Sequence, residues 1–186
     1  MPNWCNNNIE IRGPRAKIEA LYAAATAEAG GLLNAMVPMP KELEDTTKGS
    51  GDELQTEKYD GFTNWYDWAV NNWGTKWDVD TEGLEYSEEG EDMAVITGYF
   101  DSAWSPPIEA YNRFLELNKD CTLNASYYEG GMDFGGFYDD GDDECCTDIH
   151  AEYDLPEDQQ SDLFKRLDDE YGLSEQFAQY DEEDED

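Results

Sequence analysis

Carboxylates dominate the groups in this chain that could do chemistry: 46 Asp and Glu, against 11 Lys and Arg and one His, in 186 residues. Any two of them could pose as general acid and base, so carboxylate pairs single out no site. Asp133–Glu144 has the twelve-residue length of a calcium-binding loop. Gly135 and Phe137 nevertheless occupy ligand positions, and Tyr138 stands where the loop needs glycine. Cys121, Cys145, Cys146 and His150 are the residues from which a zinc site could be imagined. Zinc sites use cysteine pairs separated by roughly two to four residues, and adjacent cysteines on a strand point to opposite faces. Nothing pairs His150 with a nucleophile, and it is the one side chain that ordinarily titrates near neutrality. Gly130–Gly136 lacks the Lys-Ser/Thr ending and following helix of a phosphate loop, and predicts a glycine-rich hairpin. No catalytic residue, metal ligand or cofactor is expected.

The charge itself is the strongest signal. The formal net charge is −35, of which residues 1–77 carry −4 and residues 78–186 carry −31. Self-repulsion on this scale opposes a compact state. Six Trp, twelve Tyr and seven Phe supply the apolar surface that a disordered acidic chain lacks, so most of the chain is expected to fold around one core. The excess of carboxylates argues against direct nucleic-acid binding, which needs Lys and Arg, and against anionic membrane surfaces. The start Met1-Pro2-Asn3-Trp4 shows no leader pattern, and no run of about eighteen apolar residues exists. Four cysteines, two adjacent, fit reduced thiols. A cytoplasmic location is expected.

The elements follow from periodicity. Cys5, Asn7, Ile9 and Ile11 alternate with polar residues, predicting a strand over 3–12. Pro14 opens a helix with Ile18, Leu21, Tyr22 and Ala25 on one stripe, ended by Gly30-Gly31. Leu32–Val37 reads as a short strand, 41–61 as a mobile loop, and Asn64–Trp73 as a short aromatic helix stopped by Gly74. Strands follow at Leu84–Ser87 and Met93–Phe100. Ser105 is expected to cap a helix starting at Pro106-Pro107. Thr122–Tyr128 and Met132–Tyr138 pair as a hairpin, and Cys145–Tyr153 adds a strand with Ile149, Ala151 and Tyr153 facing in. Pro156 opens a last helix carrying Leu163, Phe164 and Leu167, with Asp162 and Arg166 spaced for an ion pair. The predicted class is α+β: an antiparallel sheet with helices on one face, ferredoxin-like, with an aromatic-rich insertion and an acidic C-terminal extension. The domain spans 1–155 with an insertion at about 41–78, a helical extension covers 156–180, and 181–186 is a disordered acidic tail.

Four segments carry a resemblance. They are Pro2-Asn3-Trp4-Cys5-Asn6-Asn7-Asn8; Asn64-Trp65-Tyr66-Asp67-Trp68 with Asn72-Trp73-Gly74-Thr75-Lys76-Trp77-Asp78; Ala103-Trp104-Ser105-Pro106-Pro107; and Tyr128–Gly136. Together these look like the Api92-like/YubB ferredoxin-like family of phages, prophages and plasmids, over roughly residues 1–141. The resemblance implies a ferredoxin-like fold and a mobile-element origin. It brings no catalytic residue.

The expected function is non-enzymatic: inhibition of a host nucleic-acid-handling complex, CRISPR or restriction, by acidic mimicry of nucleic acid. The expected acidic face comprises Glu88, Glu89, Glu91, Asp92, Asp139, Asp140, Asp142, Asp143, Glu144, Asp168 and Asp169. The alternative is a protein-binding module using the block 64–77, with Trp65, Trp68, Trp73 and Lys76 as an aromatic platform. The favoured reading of these rings is core, because Trp buries a large area and its N–H needs one partner.

Overall fold

The computed structural model describes residues 3–47 and 61–184. Its frame is one six-stranded sheet in the order β2-β3-β1-β4-β5-β6, antiparallel at every pairing. The central strand β1 (Trp4–Pro14) buries Cys5, Asn7, Ile9 and Ile11, as its alternation predicts. It pairs with β3 (Met93–Ala103) on one side and β4 (Thr122–Glu129) on the other. β2 (Leu84–Glu89) forms one edge. β5 (Phe134–Asp139) and β6 (Asp142–Thr147) extend the other. The two-residue β5–β6 turn places Asp140 at φ 48° and Gly141 at φ 112°, both in the left-handed region that tight hairpins require.

Helices α1 (Arg15–Ala25), α2 (Leu32–Met36), α3 (Lys41–Glu44), α4 (Trp65–Asn72) and α5 (Ile108–Leu117) share one core with the sheet. Ile9, Ile11, Ile96, Phe100 and Leu123 meet Ile18, Leu33, Leu43, Trp68 and Tyr111 there. A second core lies on the opposite face. Tyr127 and Tyr128 are consecutive on β4 and so point to opposite sides. Tyr128 packs with Ile149, Phe164, Leu167, Leu173 and Phe177 of α6 (Ile149–Tyr153), α7 (Asp162–Tyr171) and α8 (Leu173–Asp184). The expectation of helices on one face is therefore corrected: α6–α8 cover the β4–β5–β6 end of the other face.

Several predicted elements change for identifiable reasons. Leu32–Val37 is a helix and its flank, because its cap comes from far along the chain. The Asp78 carboxylate accepts the N–H groups of Leu33 and Asn34 at 2.8 and 2.9 Å. The first helix ends at Ala25, where the Thr26 hydroxyl donates to the Tyr22 carbonyl at 2.8 Å, ahead of the two glycines. Cys145–Tyr153 breaks at Asp148, whose φ of 58° ends β6. Asp133 then takes the His150 N–H at the start of α6. Ser105 does not cap α5: its hydroxyl donates to the Gly74 carbonyl at 2.7 Å. The last predicted helix starts later, capped by Ser161 and stopped by Gly172, and a further helix α8 follows. Residues 181–184, expected as disordered tail, continue α8, while 185 and 186 lie outside the described residues. Of the loop expected over 41–61, Lys41–Glu44 form α3 and 48–60 lie outside the described residues.

Gly98 marks the tightest approach in the sheet. Its φ is 152°, and a Cβ there would sit 2.2 Å from the Gly83 carbonyl oxygen. Trp73, 5% exposed, donates its indole N–H to the Val37 carbonyl at 2.9 Å and meets Trp68 edge-on with centroids 5.4 Å apart. Trp73→Ala is expected to cost about 3–5 kcal/mol in chemical denaturation, as large aromatic truncations in a core do. Asp78→Ala should cost about 1 kcal/mol through loss of the α2 cap. A Trp73→Ala protein as stable as the parent would remove that ring from the core.

Candidate functional site

The acidic side chains expected to form one face fall into two groups. Glu88 and Glu89 end β2, and Glu91 and Asp92 lie in the turn to β3. Asp139, Asp140, Asp142, Asp143 and Glu144 form the β5–β6 hairpin at the opposite edge, five strand spacings or about 24 Å away. Both turns lie at the end of the sheet where Pro14 pairs with Met93 and Asn124 with Asp139. Between them stand cations: Arg12 pairs with Glu89 at 2.6 Å and Glu10 at 2.7 Å, Arg15 with Glu88 at 3.2 Å, and Lys17 with Asp120. The Arg12 bond holds the Glu89 carboxyl below its ordinary range. Among the described residues these carboxylates lie as two patches divided by paired charges.

The larger patch continues onto the helical layer. Arg166 of α7 lies 4.0 Å from the Phe137 ring centroid and 3.4 Å from the Glu144 carboxylate, tying α7 to the hairpin. Asp168 and Asp169 lie on this layer, where Asp168 accepts the Ser174 N–H and hydroxyl at 2.6 Å each, joining α7 to α8. From 133 to 184 the chain holds 20 Asp and Glu, against Lys165 and Arg166 alone as Lys or Arg. The hairpin carboxylates are partly committed. Asp140 accepts the Leu123 N–H at 2.7 Å, and Asp143 accepts the Tyr127 hydroxyl at 2.6 Å. Burial, reinforced by that bond to Asp143, raises the Tyr127 hydroxyl well above its ordinary value.

The expected aromatic platform is largely core. Trp68 is 4% exposed and Trp73 is buried beside it, while Trp65 is half-buried against the same cluster. Lys76 stays at the surface, with its ammonium 4.1 Å from the Trp77 ring centroid, 5.2 Å from Trp104 and 5.9 Å from Tyr66. The exposed Trp77 and Trp104 thus flank Lys76, and the exposed Trp4 lies beside Trp77 with centroids 6.3 Å apart. Sequence reasoning passed over this set. Its signal was present, since Trp4 falls on the polar register of β1.

Cys5 is fully buried, and burial pushes its thiol up to about 12. Burial also raises Cys121 and Cys146. These thiols stay protonated at neutral pH, the weakly nucleophilic form. Among the described residues no three His, Cys, Asp or Glu side chains converge as a metal would require. No helix among them is long and apolar enough to cross a membrane.

No family model matches the chain, and no curated protein matches it. Among solved structures, the crystal structure of a protein api92 from Yersinia pseudotuberculosis is similar at 11% identity and a TM-score of 0.41, over 79% of this chain and 98% of that one.

Native-state labelling with a thiol reagent at pH 7 should modify the exposed Cys145 promptly, and Cys5 and Cys121 only after unfolding. Equal rates at all four cysteines would contradict the burial described above.

Proposed function

We propose that this chain is a non-enzymatic binding protein whose acidic side, built by the β5–β6 hairpin and α6–α8, occupies the basic cleft of a nucleic-acid-handling complex. The observation that carries this is the imbalance of 20 carboxylates to two cations over residues 133–184. Duplex DNA accumulates a comparable charge in about 30 Å of axis. Helices fixed to a sheet hold the carboxylates of residues 133–181 as a surface, which costs less on association than ordering a free acidic segment. Attraction between opposite fields makes such an encounter fast and salt-sensitive.

The strand order β2-β3-β1-β4, with helices joining β1 to β2 and β3 to β4, supports a ferredoxin-like reading of the first part of the sheet. The motif resemblance to the Api92-like/YubB family supports a phage or mobile-element origin. That origin makes a host CRISPR or restriction complex the partner class. The step from origin to target is analogy. A second reading uses the aromatic corner: three rings gathered around Lys76 favour a protein-binding surface there in place of the buried Trp68 and Trp73.

The test is displacement of labelled duplex DNA from purified CRISPR and restriction complexes at about 50 mM and about 200 mM salt. Stoichiometric protein should release the DNA from at least one complex, more effectively at the lower salt. A variant combining Asp139→Asn, Asp142→Asn and Asp169→Asn should be weaker by about tenfold or more. Displacement by none, or equal displacement by the neutralised variant, would overturn the proposal.

A further inference from the structure

The β2 edge stops short of its neighbour. Pairing ends at Leu84 opposite Gly98, while β3 runs on to Ala103. Residues 75–83 run beside the remaining edge and are tied to it at two places. The Thr75 hydroxyl donates to the Ala103 carbonyl at 2.8 Å, and the Tyr99 N–H donates to the Gly83 carbonyl at 3.4 Å. Between these ties the segment carries Asp78, whose carboxylate accepts the N–H groups of Leu33 and Asn34 in α2. Beside it is a notch of about 360 Å³ walled by Trp4, Tyr99, Asp78, Asp80, Glu82 and Asp101. Trp4 is 49% exposed and Tyr99 is 69% exposed. Among the described residues no Lys or Arg lines it.

Two aromatic rings and four carboxylates around one cavity match an organic cation. The neighbouring corner supplies an independent sign of the same chemistry. Trp77, whose ring lies 6.3 Å from Trp4, already holds the Lys76 ammonium against its face together with Trp104. A bare metal ion fits less well, because hard cations need six or more converging oxygens and Asp78 is committed to backbone N–H groups.

We propose that the notch binds a guanidinium group. This cation is planar, weakly hydrated and able to stack on Trp or Tyr while bonding a carboxylate through two N–H groups. Asp101 accepts one bond from the Asn6 amide at 2.6 Å, and Asp80 one from the Glu82 N–H at 2.9 Å, so both keep further acceptor capacity. Ties at both ends fit the space to a single side chain or small molecule. The notch sits beside Trp4, where β1 begins; the acidic turns flank the strand's other end. It therefore stands or falls separately from the acidic side.

The test is a titration of the full chain, followed by tryptophan fluorescence and by NMR, with N-acetylarginine methylamide and with an acetylated Gly-Arg-Gly peptide. N-acetyllysine methylamide and magnesium chloride serve as comparators. The arginine probes should produce saturable shifts at Trp4 and Tyr99, with tighter binding than either comparator. Glu82→Gln and Tyr99→Ala, both at exposed positions, should each weaken binding by about 2- to 5-fold. Asp139→Asn with Asp142→Asn should leave it unchanged. Equal affinity for both arginine probes identifies a free guanidinium compound as sufficient, and preference for the peptide identifies an arginine within a partner chain. The proposal is overturned if neither arginine probe saturates, if lysine or magnesium binds as well, or if only the hairpin variant loses affinity.

Discussion

The acidic helical layer depends on one seam: Ile149, Phe164, Leu167, Leu173 and Phe177 packed against Tyr128 on the sheet. Everything outside that seam on α6–α8 is rich in carboxylates that repel one another. Each fully buried Leu, Ile or Phe contributes about 1.5–3 kcal/mol, while each pair of exposed like charges opposes folding by only a fraction of that in water. Gly135 allows the contact, since a Cβ there would lie 3.1 Å from Ile149 Cδ1 and 3.3 Å from Leu167 Cδ1. Arg166 adds a local charge match by covering Phe137 and meeting Glu144.

The same division of labour runs through the molecule. Core-facing positions of β1, β3 and β4 carry mainly apolar residues, with Asn7 and Ser102 bonded to each other among them, and the other face of β1 carries Asn6, Asn8, Glu10 and Arg12. Cations are concentrated where strand ends bring carboxylates close: Arg12, Arg15 and Lys17 all face an acidic partner. Their pairing lowers repulsion near the middle of the sheet end and leaves the hairpin and helical layer as the strongly negative side.

Much of this was legible in the sequence where the causes are local. The alternation in β1 and the stop of α4 at Gly74 each follow from a few neighbouring residues. The failures have distant causes. Leu32–Val37 looks like a strand because its apolar run says nothing of Asp78, the capping carboxylate 45 residues away from Leu33. Ile149 was expected to face inward and does so, but from a helix, because Asp133 organises its start. The excess of carboxylates was plain from composition, while its partition into two patches depends on strand order, which composition does not contain. The tryptophans divide similarly: alternation exposes Trp4, whereas burial of Trp68 and Trp73 needed α4 to be placed against the sheet.

The central claim is that a self-repelling acidic layer is kept in place by the apolar seam. Hydrogen exchange of the α7 and α8 amides, measured at about 20 mM and about 500 mM sodium chloride, tests it directly, because the higher salt shortens the screening length to a few ångströms. Protection in these two helices should rise with salt, while the amides of β1 and β3 change little. Protection in α7 and α8 that is unchanged or lower at high salt would contradict the account, since repulsion would then not be the force that the seam opposes.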